Sequence, residues 1–233
     1  MTASGRRAVR LEHRLTQPNA SLSDLDAAIA LARNHELAGL TVSPWLVKAA
    51  KRLLGRSRVE FGTVVAYPHG GQLLSVKAFE ASKALEHGAT QIDFVMNAGA
   101  LRSGDEETVF NDMLAVVDMA HSALAVAGVM VEVDPIGDDL VRRACRLAER
   151  AGADYVVTGA GSGTARTTIG RTKLVRDNVG PRIQVKAAGR FRTAEQVNAA
   201  FDAGATRVST QLSQVLIRTA SVPTETGAAA AAR

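Results

Sequence analysis

"ERAGADYVVTG", residues 149–159, holds the pattern that decides the fold. A helix-like segment ends, an Ala-Gly pair follows, and a short β-branched run begins. The same junction recurs in "NHELAGLTVS" (34–43), "LEHGATQIDFV" (85–95) and "FDAGATRVST" (201–210). One physical reason covers all four. Glycine caps the helix in a left-handed conformation, and the chain then enters a buried strand. Helix-to-strand junctions repeated along the chain predict βα units and a parallel sheet.

Working outward from these junctions gives eight strands, near Val9–Leu15, Gly39–Ser43, Val59–Ala66, Gln91–Asn97, Val129–Asp134, Asp154–Thr158, Ile183–Ala187 and Thr206–Thr210. A helix-like segment follows each. "SVKAFEASKALEHG" and "TVFNDMLAVVDMA" repeat apolar residues at i, i+3, i+4 and i+7. Ser21, with Asp24 three residues on, predicts a capping box. Eight such alternations predict an α/β fold, a TIM (β/α)8 barrel over residues 9–220. Residues 1–8 read as a flexible N-terminus and 221–233 as a disordered tail. A doubly wound open sheet would need a dinucleotide fingerprint or a strand-order reversal, and neither is found.

The 233 residues are 46% apolar and 22% charged, an ordinary globular composition. The net charge of +5 is spread over helix-like segments and balanced locally by acids. No dense basic stripe or RNA-reading motif is present, so no nucleic-acid partner is expected. An anionic small-molecule substrate is compatible with the charge. No apolar run approaches a membrane span, and the N-terminus lacks the apolar core of a signal peptide. The single cysteine, Cys145, falls on the apolar side of a helical pattern and reads as a buried thiol. That usage fits a cytoplasmic location.

In a barrel, chemistry sits at the C-terminal ends of the strands. The residues there are Glu12 and His13, Thr41, His69, Asp93 and Asn97, Glu132 and Asp134, Val157, Gly159, Gly161 and Gly163, Lys186 and Gly189, and Ser209 and Thr210. Asp93 and Asn97 have the even spacing of one strand face, and Asp93 suits general acid/base work. His69 carries an imidazole at the barrel mouth and could replace a lost acid/base group. Glu12 and His13 could pair with each other. Glu132 and Asp134, with His69, could hold a divalent metal, but no spaced His pair accompanies them, and no metal is expected. The glycines after Thr158 could form a nest for phosphate or carboxylate.

The segment "GATQIDFVMNAGALRSGDEETVFNDMLAVVDMA" (88–120) closely resembles the fourth βα unit of deoxyribose-phosphate aldolases. "RACRLAERAGADYV" and "VGPRIQVKAAGRFRTAEQ" resemble the approaches to that family's sixth and seventh strands. The likeness runs from about Leu11 to Ile217. It implies a cofactor-free lyase, homodimeric, that cleaves 2-deoxyribose 5-phosphate through a lysine Schiff base. The family's Schiff-base lysine opens a Lys-Thr-Ser-Thr-Gly motif at the end of strand 6. Here Val157, Thr158, Gly159, Ala160 and Gly161 stand there, and Val157 has no nitrogen to form a carbinolamine.

The family's strand 7 lysine matches Lys186 and its strand 4 aspartate matches Asp93. A strand 5 glutamate matches Glu132, while a lysine a few residues earlier is replaced near Gly128. The phosphate end departs too: Gly189-Arg190 stands for a Gly-Gly pair, and Ser209-Thr210-Gln211-Leu212-Ser213 replaces a run of small residues. The resulting expectation is a divergent aldolase-like enzyme on a carbonyl compound, phosphorylated or not. Its catalytic residues would be Lys186, Asp93 and His69. Its substrate-binding residues would be Asn97, Glu132, Thr158, Gly159, Gly161, Gly189, Arg190 and Ser209. Two alternatives stand beside it: a non-covalent acid/base cyclase or isomerase of specialised metabolism, and a non-catalytic relative that binds a ligand or partner.

Overall fold

A computed structural model describes residues 10–220 apart from Arg58, 132–135 and 161–163, and no side chains at 218–220. The two end segments, 1–8 and 221–233, and the site residues Glu132, Asp134, Gly161 and Gly163 therefore lie outside the described residues.

The strands are β1 (Leu11–Leu15), β2 (Gly39–Val42), β3 (Glu60–Val65), β4 (Gln91–Val95), β5 (Val126–Met130), β6 (Tyr155–Val157), β7 (Gln184–Ala188) and β8 (Arg207–Thr210). Each pairs in parallel with the next, and β1 pairs with β8 to close the ring. The helices are α1 (Leu22–Asn34), α2 (Val47–Leu54), α3 (Leu74–Glu86), α4 (Ala98–Arg102), α5 (Glu106–Ser122), α6 (Asp138–Arg150), α7 (Ala165–Arg176), α8 (Ala194–Asp202) and α9 (Ser213–Ala220). This is the expected TIM barrel. No helix among the described residues is long and apolar enough to cross a membrane.

Local chemistry explains most element ends. Ser21 caps α1 and Asp24 bonds back to the Ser21 backbone, the expected capping box. Gly88, Gly152 and Gly204 end their helices at φ of +98°, +79° and +102°, where a side chain is strained. The first junction differs: Glu36 takes the left-handed turn at φ +49°, and Gly39 starts β2. Gly39 is there for space, because a Cβ would meet the Glu60 carbonyl oxygen at 3.2 Å.

The helices bury one stripe each. In α5 that stripe is Val109, Asp112, Met113, Val116, Val117 and Ala120. Each fully buried Val or Met contributes about 1.5–3 kcal/mol. Lys77 of α3 pairs with Asp112 of α5 and donates to the Val95 carbonyl at 3.0 Å, both side chains being buried. That contact ties two helices to the end of β4.

β5 departs from the expected Val129–Asp134, beginning earlier at Val126 and running through Gly128 to Met130. Glycine weakens a strand by itself. Here tertiary packing overrides that preference, since the Tyr155 ring occupies the space beside Gly128 and a Cβ would lie 1.8 Å from Tyr155 Cε2.

Candidate active site

Alternation along the strands sends every second side chain into the barrel. β4 and β7 are three strands apart in the ring, so their side chains meet only through its interior. Lys186 of β7 does so, with Nζ 2.9 and 3.0 Å from the two carboxylate oxygens of Asp93. The same ammonium lies 3.1 Å from Glu12 Oε2 on β1. The Tyr155 hydroxyl donates to Asp93 Oδ1, and the Tyr155 ring sits under the ammonium at 4.7 Å from its centroid. All four residues are buried.

Glu12 is held from several sides. Thr41 and Ser209 hydroxyls donate to Oε1 at 2.7 and 2.8 Å, and Arg207 Nη1 approaches Oε2 at 3.3 Å. Burial would raise its pKa. The charges of Lys186 and Arg207 and the two hydroxyls outweigh that, and hold it well below the usual carboxylate range. Tyr155 is pushed the other way: burial, then the Asp93 charge and hydrogen bond, raise its phenol well above the ordinary value. Tyr155 is therefore a protonated donor at neutral pH. The cluster offers a carboxylate to accept a proton, an ammonium to hydrogen-bond an oxyanion, and a phenol to carry a proton between them.

Packed beside this cluster, and sharing Tyr155 with it, is an apolar group of Val64, Val95, Met130, Val157 and Ala188, with Val64 in register with Asp93. Val157 pairs in register with Lys186 on the neighbouring strand and is fully buried. A cavity of about 560 Å³ reaches Lys186 and Tyr155 from one mouth of the barrel, lined by strand starts such as Gln91, Gln184 and Arg207. That cavity lies at the N-terminal ends of the strands, the end opposite the one where TIM-barrel chemistry ordinarily sits.

Of the expected residues, Lys186, Asp93 and Ser209 come together here, Ser209 through Glu12. His69 is exposed in the turn after β3, and no described contact joins it to Lys186 or Asp93. Asn97 does not extend β4; it is the N-cap of α4, accepting from the Ala100 N–H at 3.0 Å. Thr158 Oγ1 accepts from the Ala188 N–H at 3.1 Å, which ties β6 to β7. Gly159 is half-buried just beyond β6, and Gly189 is buried against Thr168, whose Oγ1 would lie 2.4 Å from a Cβ there. Arg190 is exposed and bridges in parallel to Thr164. Among the described residues no three of His, Cys, Asp and Glu group to hold a metal.

Glu12 and His13 do not pair as a unit. Adjacent strand residues face opposite sides, so Glu12 enters the barrel and His13 turns out to Ser213 of α9, with Nδ1 2.6 Å from the hydroxyl oxygen. Sequence reasoning missed Tyr155, which was within reach of a parity argument because it is two residues before Val157.

Known proteins match this arrangement over nearly its whole length. The model of the DeoC/LacD family aldolases matches residues 8–205. The chain is 40% identical to a deoxyribose-phosphate aldolase of Streptococcus uberis over 201 residues, covering 86% of this chain and 90% of that protein. It is 39% identical to one of Thermococcus gammatolerans over 202 residues, covering 86% and 90%. The solved structure of a tetrameric deoxyribose phosphate aldolase from Aeropyrum pernix superimposes with a TM-score of 0.85 at 25% identity, covering 93% of this chain and 92% of that one. The closed parallel barrel and these matches together place the chain in the DeoC/LacD aldolase family.

Proposed function

We propose that this chain is a carbon–carbon lyase or enolising enzyme that works on a carbonyl compound by non-covalent acid/base chemistry. The observation that carries the reading is the Lys186 ammonium chelated by Asp93, with Tyr155 donating to the same carboxylate. In the cleavage direction Asp93 takes the proton of a β-hydroxyl and the carbon–carbon bond breaks. The electron pair moves to the carbonyl oxygen, where Lys186 stabilises the enolate. Tyr155 then returns a proton to the α-carbon and is reprotonated from Asp93. Preorganised donors in a buried site suit such a developing charge.

Val157 supports the non-covalent form of the reading, because the strand 6 position where the family resemblance places a Schiff-base lysine has no amine. A lysine doubly paired with carboxylates is also a poor nucleophile. Turnover of 2-deoxyribose 5-phosphate is therefore expected well under the normal range of roughly 1–1,000 per second. A homodimer and a cytoplasmic location belong to the same reading, and light scattering of the purified chain tests the first.

The test is α-proton exchange in D2O with acetaldehyde, acetone and pyruvate, followed by NMR. Exchange above the buffer rate that disappears in Asp93→Asn supports the reading. A borohydride-trapped adduct on Lys186 would convert the mechanism to a covalent one. No exchange with any carbonyl compound would favour the binding-only relative.

A further inference from the structure

Arg14 is a fully buried guanidinium with an unused nitrogen. Its Nη1 has no hydrogen-bond partner among the described residues. Its Nε reaches Thr16 Oγ1 at a long 3.4 Å, and its Nη2 meets only Met130 Sδ, at 3.9 Å. Met130 is on β5, four strands from β1 and so across the ring. The contact therefore places the guanidinium inside the barrel rather than on its wall. The ring of Tyr67, in the turn after β3, lies 5.4 Å from the guanidinium carbon.

A buried cation without a counter-charge is costly, and arginine cannot shed its proton. The carboxylates below cannot relieve it. Glu12 and Asp93 are already matched by Lys186 and Arg207, and no carboxylate among the described residues touches Arg14. Among the described residues the guanidinium therefore has no counter-charge, and its free Nη1 is open to an anionic ligand.

We propose that Arg14 binds the carboxylate of a small oxo acid whose carbonyl is presented to Lys186 and Asp93. Arg14 is two residues beyond Glu12 on the same strand face, about 6.6 Å nearer the C-terminal mouth. A short oxo acid of roughly three to five carbons spans that step, given the reach of the arginine side chain. The planar fork of the guanidinium matches a carboxylate in bidentate fashion. Charge selects the monoanion. One cation in an apolar layer of Val64, Val95, Val157 and Ala188 neutralises one negative charge, while a phosphate dianion would leave a second uncancelled. The inference rests on the proposed function for the place of the reacting carbonyl, though not for the anion site itself.

The experiment is calorimetric titration of the full chain with pyruvate, acetone and inorganic phosphate, alongside Arg14→Met and Arg14→Lys. Pyruvate is expected to bind at least tenfold more tightly than acetone or phosphate. The Kd for pyruvate should rise at least tenfold in Arg14→Met and by a smaller factor in Arg14→Lys, which keeps the charge but loses the fork. Unliganded Arg14→Met should melt at a higher temperature than the parent chain, since an unpaired buried charge has gone. A variant that melts lower or fails to fold makes Arg14 a structural cation and overturns the proposal. Equal binding of pyruvate and acetone overturns it as well, as does phosphate binding more tightly than pyruvate. Pyruvate binding that depends on Arg14, without α-proton exchange, leaves this site standing and removes the proposed reaction.

Discussion

Glu12 shows how strongly one residue can depend on its neighbours in this barrel. Its folded pKa is depressed, so its contribution to stability is complete above the unfolded value of 4.5 and is lost as pH falls below it. Glu12→Gln leaves Lys186 and Arg207 short of a buried counter-charge. Urea unfolding at pH 7 should show a loss of about 3–5 kcal/mol. His13 gives the pH dependence a second part. Burial holds its folded pKa down, against a smaller opposing pull from Glu12, at about 4 from an ordinary 6.5. Between those values the unfolded chain binds more protons, so stability should rise from pH 4 to pH 6.5, by at most about 3.4 kcal/mol at 1.36 kcal/mol per unit. In His13→Gln the rise over that window should flatten, as read from thermal melts across pH. Tyr155→Phe keeps the ring and deletes the phenol. It should lower any carbonyl exchange rate by about 10²–10⁴-fold while costing only about 1–3 kcal/mol of stability.

At the scale of the element, β5 and β6 are fitted to each other. Gly128→Ala drives a methyl into the Tyr155 ring and should destabilise the fold by about 1–3 kcal/mol or more. In a Tyr155→Ala background the same change should cost under about 1 kcal/mol, because the obstructing ring is gone. A double-mutant cycle by denaturant unfolding reads this coupling, and additivity of the two changes would refute it. The α1 capping box is a local device, and Ser21→Ala should cost about 1 kcal/mol. Ser21 was legible from spacing alone because both partners lie within one turn. The start of β5 was not, because its reason sits on another strand.

Over the whole molecule, the single thiol is a reporter of global opening. Cys145 is fully buried in α6, and burial pushes its thiol up to about 12. It should be inert to a disulfide reagent in the native state at pH 8 and react at the rate of unfolding. Fast labelling in native buffer would mean that α6 opens locally.

The sequence by itself determined the barrel, since each helix cap, glycine turn and β-branched run is a local decision taken by residues a few positions apart. It also marked Lys186 and Asp93, because strand-end polar residues in a parallel barrel have few other uses. Only the tertiary structure decided which charges meet. Barrel closure brings Glu12 to Lys186 and Tyr155 to Asp93, contacts between residues 174 and 62 positions apart. It also carries Arg14 across the ring to Met130, 116 positions away. Pairing at such separations depends on strand register and on which face each side chain takes, and a shift of one residue would turn every one of these groups out of the barrel.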